Sequence, residues 1–159
     1  MTEIRFFRRD RARYPFLSNF YPAVIQDGGQ AWPTAEHLYQ ACKTEDEAER
    51  QRIREAGTPG GAKRLGRSVA LRPNWLADRQ AWMTYVVTKK FRQHPDLAAR
   101  LVATGDAVLI EDSPFDRSWG IGRDGTGENR LGRILMDVRA ALRDGRLIPC
   151  PVSPTTAQS

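Results

Sequence analysis

The sequence is poor in the residues that build metal centres and disulfide frameworks. Its 159 residues include two cysteines and two histidines. Cys42 and Cys150 stand far apart, without a Cys-x-x-Cys motif, so we expect neither a disulfide framework nor a structural zinc site. Long apolar runs are also missing. The longest covers residues 107–110, far short of the roughly 20 residues that a membrane helix needs.

The N-terminal residues lack the apolar stretch of a signal peptide. Hydrophobic residues make up 40% of the chain and aromatic residues 9%, which is enough to form a core and argues against a mainly disordered protein. The length is that of one domain. We therefore expect a soluble, cytoplasmic protein with no membrane partner, with one domain over residues 1–148 and a disordered tail over 149–159, where charged side chains are absent.

Positive charge exceeds negative charge. The 25 lysines and arginines outnumber the 19 aspartates and glutamates and give a net charge of +6, a balance that favours anionic partners. The densest basic cluster lies near the N-terminus. It is either a solvated face or a surface that contacts phosphate, and it comprises Arg5, Arg8, Arg9, Arg11 and Arg13.

Residue patterns predict a helix-rich α+β domain with a few short strands. Asp27-Gly28 favours a tight turn within a hairpin over residues 23–32, and Thr44 with Glu47 fits a capping box at the start of a helix. The strands are expected at 4–7, 23–26, 30–32 and 107–110, and the helices at 34–43, 44–57, 58–67, 74–93, 95–103 and 129–143.

The first segment that could carry chemistry is the helix at 34–43. Glu36, Gln40 and Lys43 are spaced by four and three residues, so they share one helix face. This row is either a solvated stripe or part of a site. His37 points elsewhere, and we expect it to be a half-buried side chain whose hydrogen bonds are satisfied rather than a catalytic group.

The second segment is the loop over residues 111–122, which follows a predicted buried strand. Loops in this position often hold reactive groups. Trp119 either closes the edge of the core or stacks on a flat ligand. Gly120 and Gly122 would allow the backbone to pass close to that ligand.

The third segment, residues 58–67, is a glycine-containing helix start followed by basic side chains. The free amides of a helix N-terminus attract phosphate, but the nucleotide-binding Gly-Lys-Ser/Thr pattern is missing. The segment is therefore either a phosphate site or an ordinary capped helix.

Five motifs, taken together and in this order, resemble the NADAR family of YbiA-like N-glycosidases. They span about residues 6–143. The motifs are FLSNFYP at 16–22, PTAEHLYQACK at 33–43, AKRLGR at 62–67, SPFDRSWGIG at 113–122 and NRLGRILM at 129–136.

The resemblance implies a YbiA-like α+β fold and hydrolysis of a ribosyl C–N bond. The substrate would be a phosphorylated ribosyl-amine of the riboflavin pathway or, alternatively, ADP-ribosylated guanine in a nucleotide or nucleic acid. A non-catalytic module that binds ADP-ribose is a further alternative. Cleavage passes through a cation-like sugar that a carboxylate stabilises, so the scheme needs neither a metal nor a cofactor.

The resemblance also implies roles for individual residues. Glu36 is the first candidate for the carboxylate that stabilises the cation or activates water, Asp116 is the second carboxylate, and Trp119 stacks on the base. Lys43 either contacts the sugar or its phosphate through its charge or attacks the opened sugar as an amine. The charge role is slightly preferred, because a nearby Glu36 raises a lysine pKa.

The remaining candidates bind substrate. Asn19 and Asn129 would contact ribose hydroxyls or base edges, and Lys63 and Arg67 would contact phosphate. The other substrate-binding candidates are Phe20, Gln40 and Gly120.

Overall fold

The computed structural model describes residues 2–7 and 13–146. Most of the predicted basic cluster and the predicted tail at 149–159, with Cys150, lie outside these ranges. The strands are β1 (Glu3–Phe6), β2 (Ile25–Asp27), β3 (Gln30–Trp32) and β4 (Val108–Glu111); the α-helices are α1 (Ala35–Cys42), α2 (Glu47–Arg54), α3 (Pro59–Leu65), α4 (Trp75–Gln93), α5 (Pro95–Val102) and α6 (Arg130–Asp144).

The strands form two small sheets. β1 pairs with β4 in parallel, and β2 pairs with β3 as an antiparallel hairpin. Gly28 and Gly29 turn this hairpin, both with positive φ, as the Asp-Gly signal predicts. The predicted α+β class is confirmed: helices dominate, and each sheet among the described residues has two strands.

The helices enclose one core. α1 packs against α2, α3 and α4, while α6 packs against β4, α4 and α5. The large apolar side chains that recur at helical spacing along α4 are buried: Trp75, Trp82, Met83, Val86, Val87 and Phe91. No helix within the described ranges has the length and apolar character needed to span a membrane.

The start of α2 differs from the prediction in its capping residue. Asp46, not Thr44, is the N-cap, and its Oδ1 accepts a hydrogen bond from Glu49 N at 2.9 Å. Thr44 Oγ1 instead donates to the Glu49 carboxylate at 2.8 Å. Asp46 is two residues closer to the helix and is an equally good cap, so Thr44 supports the turn before it.

Lys90 of α4 fixes the turn within the first motif, residues 16–22. Its side chain is buried, and Nζ donates to Phe16 O at 2.5 Å and to Ser18 O at 2.9 Å. Burial lowers the pKa of Lys90 to about 7, because an ammonium group loses hydration in the core. The two carbonyl contacts hold the turn that carries Asn19.

Candidate active site

A cavity of about 520 Å³ opens between α1, α3, the first turns of α4 and the loop between β4 and α6. This volume lies in the range of sites that bind small molecules. Its wall contains most of the residues that the sequence singles out: Asn19, Phe20, Glu36, Gln40, Lys43, Lys63, Arg67, Asp116 and Trp119.

Helix α1 contributes the row of Glu36, Gln40 and Lys43. The helix begins after Thr34, whose side chain accepts a hydrogen bond from His37 N at 3.2 Å. Glu36 and Gln40 are only 7% and 3% exposed, and Lys43 is half-buried at the end of the helix. The interpretation as a solvated stripe is therefore wrong.

His37 lies on another face of α1 and has its ring nitrogens occupied. Nδ1 lies 2.8 Å from Thr34 Oγ1, and Nε2 lies 2.9 Å from Ala56 O. Burial lowers the pKa of His37. The prediction of a satisfied, non-catalytic histidine agrees with these contacts, although the side chain is fully rather than half buried.

Burial raises the pKa of Glu36, because the carboxylate loses hydration. Three groups oppose this effect: the hydrogen bond from Gln40, and the positive charges of Lys63 and Lys43. The negative charge of Asp116 adds to the upward shift. The burial of Glu36 and the polar groups around it in the cavity therefore determine the pKa of its carboxyl group.

Burial lowers the pKa of Lys43, and three neighbouring cations, Lys63, Arg67 and Arg79, add to the effect. The charge of Glu36 acts in the opposite direction but does not outweigh them. The expectation that Glu36 keeps Lys43 at a raised pKa is therefore wrong. That expectation gave most weight to one neighbour on the same helix, whereas burial and the nearby cations decide the direction of the shift.

The loop after β4 fixes Asp116 and Trp119 beside the cavity. Asp116 Oδ1 accepts hydrogen bonds from Ser118 N at 2.8 Å and Trp119 N at 2.7 Å, so the turn holds the carboxyl group in place. The half-buried Trp119 ring meets Tyr39 edge-on, with centroids 5.7 Å apart. Trp119 thus closes the edge of the core and also lines the cavity.

Helix α3 and the turn that follows it supply a group of cations to the cavity wall. Lys63, Arg64 and Arg67 line the cavity. At the start of the helix, Thr58 Oγ1 accepts from Gly61 N at 3.0 Å, so the N-terminus is an ordinary capped one. The cap uses the Gly61 amide, so this amide does not face a ligand.

Two predicted substrate contacts lie away from the cavity wall. Asn129 Oδ1 accepts from Glu111 N and its Nδ2 donates to Leu109 O, both at 2.9 Å. Both ends of the amide thus tie α6 to β4. Gly120 is buried inside the loop, where an added Cβ would lie 2.8 Å from Glu111 O. Glycine at position 120 therefore allows the loop to pack against the Glu111 backbone, which leaves no space there for a ligand.

Asn19 and Phe20 reach the cavity from the turn that Lys90 supports. Asn19 is buried, and its Nδ2 donates to Met83 Sδ at 3.2 Å. The turn is also joined to α1, since Glu36 N donates to Asn19 O at 3.0 Å. This bond places Asn19 directly beside Glu36, the first residue of the row on α1.

Arg79 is a wall residue that the sequence analysis missed. It lies on α4, one turn after Trp75, which also lines the cavity. Its guanidinium carbon is 5.9 Å from the Trp119 ring centroid, and Nη2 donates to Ser118 Oγ at 3.4 Å. The spacing of four residues from Trp75 was the available signal, but it fits a solvated position equally well.

Metal ligands are not grouped in the part of the chain that the structure describes. Residues 2–7 and 13–146 contain no cluster of three or more histidine, cysteine, aspartate or glutamate side chains placed to hold an ion. The groups that the cavity offers are carboxylates, amines, guanidinium groups and aromatic rings.

Comparisons with known proteins identify the family and agree with this fold. The NADAR domain profile matches residues 5–143. N-glycosidase YbiA of Escherichia coli (strain K12) is 43% identical over 131 residues, covering 81% of this chain and 82% of YbiA. A riboflavin biosynthesis protein of Vibrio vulnificus is 42% identical over 146 residues, covering 91% of this chain and 40% of that longer protein.

The NMR structure of E. coli YbiA superposes with a TM-score of 0.81 at 38% identity, covering 91% of this chain and 88% of the other. The expected YbiA-like fold is confirmed. The relatives named N-glycosidase are enzymes, which decides against a non-catalytic binding module. The chain belongs to the NADAR domain family, and it is an enzyme of the N-glycosidase class.

Proposed function

We propose that this enzyme hydrolyses the ribosyl C–N bond of a phosphorylated ribosyl-amine, the kind of intermediate made early in riboflavin synthesis. The observation that carries the proposal is the row of Glu36 and Lys43 in a cavity that also holds an aromatic ring and a set of cations. A carboxylate, an amine, a stacking surface and a phosphate contact are the groups that such a substrate needs.

Glu36 is the main catalytic carboxylate in this proposal. Cleavage of the C–N bond develops positive charge on the sugar, which a nearby carboxylate stabilises. The upward shift of the Glu36 pKa also gives this carboxyl group a higher proton affinity than an ordinary glutamate has, which favours a part in proton transfer. Asp116 contributes a second carboxylate from the loop, on the wall that Trp119 shares.

Lys43 acts as the amine. Opening of the sugar ring breaks the C1–O4′ bond, O4′ takes up the proton that the glycosidic nitrogen loses, and C1 forms a double bond to that nitrogen. Neutral Lys43 Nζ then adds to C1, and the base departs as a free amine that carries both protons lost by Lys43. Water adds to the lysine imine, releases the sugar aldehyde and restores the amine, so one water is consumed for each C–N bond broken.

Different residues of the cavity wall bind the base and the phosphate of the substrate. Trp119 offers a flat surface for the base, and Lys63 of α3 and Arg67 just beyond it take the phosphate. Arg79, beside Trp119, adds a donor at the base end. The name of the Vibrio relative supports a riboflavin intermediate as the substrate.

The test is incubation of the purified protein with each candidate substrate, followed by chromatography. With the phosphorylated ribosyl-amine we expect the free base and the sugar phosphate to form together in equal amounts. Turnover of ADP-ribosylated guanine alone, with release of ADP-ribose, would reject the proposed substrate while keeping the bond type. No turnover of either compound would reject both.

A further inference from the structure

Gln40 lies between the candidate catalytic carboxylate and the end of α3. It stands one helical turn after Glu36, and its Nε2 donates to Glu36 Oε1 at 2.7 Å. Both side chains are buried. A short hydrogen bond to a charged group inside a protein is stronger than an exposed one, so this contact has a large influence on the carboxyl group.

The space for the Gln40 amide exists because residue 66 is glycine. A Cβ at Gly66 would lie 1.9 Å from Gln40 Oε1 and 2.8 Å from Cδ. The backbone does not require glycine there, since φ is −63°, a value that every residue adopts. Glycine is therefore needed at position 66 for packing, because the Gln40 amide occupies the space that a side chain there would fill. We call Gly66 the seat of the Gln40 side chain in this sense.

Glu36 and Gly66 hold the Gln40 amide in one orientation. Gln40 Oε1 is buried and has no hydrogen-bond partner among the described residues, so the bond to Glu36 and the packing against Gly66 fix the group. An N–H facing Glu36 favours the ionised carboxylate, because a carboxylate accepts this bond.

We propose that Gln40 is a positioning residue that keeps Glu36 ionised and correctly oriented, with Gly66 as its seat. This role replaces the direct substrate contact expected from the resemblance. The inference rests on the proposed function only where it concerns turnover, because the state of Glu36 can be measured in the free protein.

The direct test is a carboxyl ¹³C NMR titration of the free enzyme, with the Glu36 signal identified by its loss in Glu36→Gln. In Gln40→Met, which keeps the length of the side chain but not the donor, we expect the Glu36 midpoint to rise by about one to two pH units. An unchanged midpoint would overturn the proposal.

Gln40→Glu provides a second variant of nearly the same shape. Two adjacent carboxyl groups share a proton, so we expect the first ionisation of the pair near its usual range and the second at a clearly higher pH. Two independent titrations at ordinary pH values would contradict the contact. This variant keeps the test decisive if Gln40→Met fails to fold.

Gly66→Ala tests the seat without altering Gln40. The new methyl group displaces the amide, so we expect the same upward shift of the Glu36 midpoint. Gly57→Ala is the matched control, because no atom lies within 4 Å of its added Cβ; we expect it to titrate as wild type. A wild-type Glu36 midpoint in folded Gly66→Ala would show that Gly66 does not hold the Gln40 amide in place.

Kinetics separate positioning from substrate contact. For a positioning residue, Gln40→Met lowers kcat at neutral pH, recovers activity as the pH rises, and leaves KM nearly unchanged. A raised KM at every pH would assign Gln40 to substrate binding and overturn the inference. If the Glu36 midpoint shifts as expected but Glu36→Gln remains active, the contact is correct and the proposed catalytic role has failed.

Discussion

Glu36 and Lys43 lie on one face of α1, and the cavity shifts their pKa values in opposite directions: that of Glu36 upward and that of Lys43 downward. Burial is the main cause for both groups, because it disfavours the charged form of each. The helix therefore presents a carboxyl group that more readily takes up a proton and an amine that more readily releases one.

Lys43→Arg distinguishes an amine from a simple positive charge. The account predicts that Lys43→Arg loses as much activity as Lys43→Ala, because a guanidinium stays protonated and forms no imine. The measurement is kcat for the two variants, together with borohydride treatment of the wild type during turnover. We expect a reduced sugar adduct on the peptide that contains Lys43.

Three observations together would contradict the role of Lys43 as an amine. Partial activity in Lys43→Arg, no activity in Lys43→Ala and no trapped adduct would show that Lys43 acts through its charge. Lys89→Arg is a suitable control for folding, because Lys89 of α4 pairs with Asp27 of β2 and does not line the cavity.

Trp119→Ala is expected to weaken substrate binding more than it weakens the fold. Loss of stacking costs about 1 to 3 kcal/mol per base, whereas deletion of a core tryptophan costs about 3 to 5 kcal/mol of stability. Substrate affinity and melting temperature are measured for the same preparation. Trp82→Ala, a buried residue outside the cavity wall, serves as the control and should show the reverse pattern.

A large drop in melting temperature with unchanged affinity would assign Trp119 to the core alone. The edge-on contact with Tyr39 makes some loss of stability certain, so the comparison between the two variants decides the question.

Lys90 gives a pH-dependent contribution to stability. Below about pH 7 its amine is protonated in both states and the folded protein bears the full cost of burial. Between about 7 and the ordinary value of 10.5, the unfolded chain binds the extra proton, so stability rises with pH. We expect the stability of wild type relative to Lys90→Met to increase by about 1.4 kcal/mol per pH unit in this range.

Urea unfolding of both proteins at several pH values measures this difference. A stability difference that stays constant between pH 7 and 10 would mean that Lys90 has an ordinary pKa in the folded protein.

The elements of the fold were largely predictable because their signals are local. Thr34, Thr58 and the Asp27-Gly28 turn mark element boundaries through their own backbone preferences. The cap of α2 was not predicted correctly, because Thr44 and Asp46 both fit and only the structure shows which one meets Glu49.

The site was predictable only in part, because it is assembled by tertiary contacts. Spacing placed Glu36 and Lys43 on one face, but it could not show that the face is buried or that Arg79 of α4 approaches it. Asn129 was misplaced for a related reason: its amide closes the junction of β4 and α6, a role that no local pattern reveals.

The central claim is that the Glu36 carboxylate carries the N-glycosidase reaction, and the most direct measurement is the turnover of Glu36→Gln on a substrate that the wild type cleaves. The account predicts a loss of kcat of about 10²- to 10⁴-fold, with the fold and ligand affinity retained, because the amide keeps the shape but not the charge. Glu45→Gln, an exposed position just beyond α1, should behave as wild type. Near wild-type turnover in folded Glu36→Gln would contradict the claim.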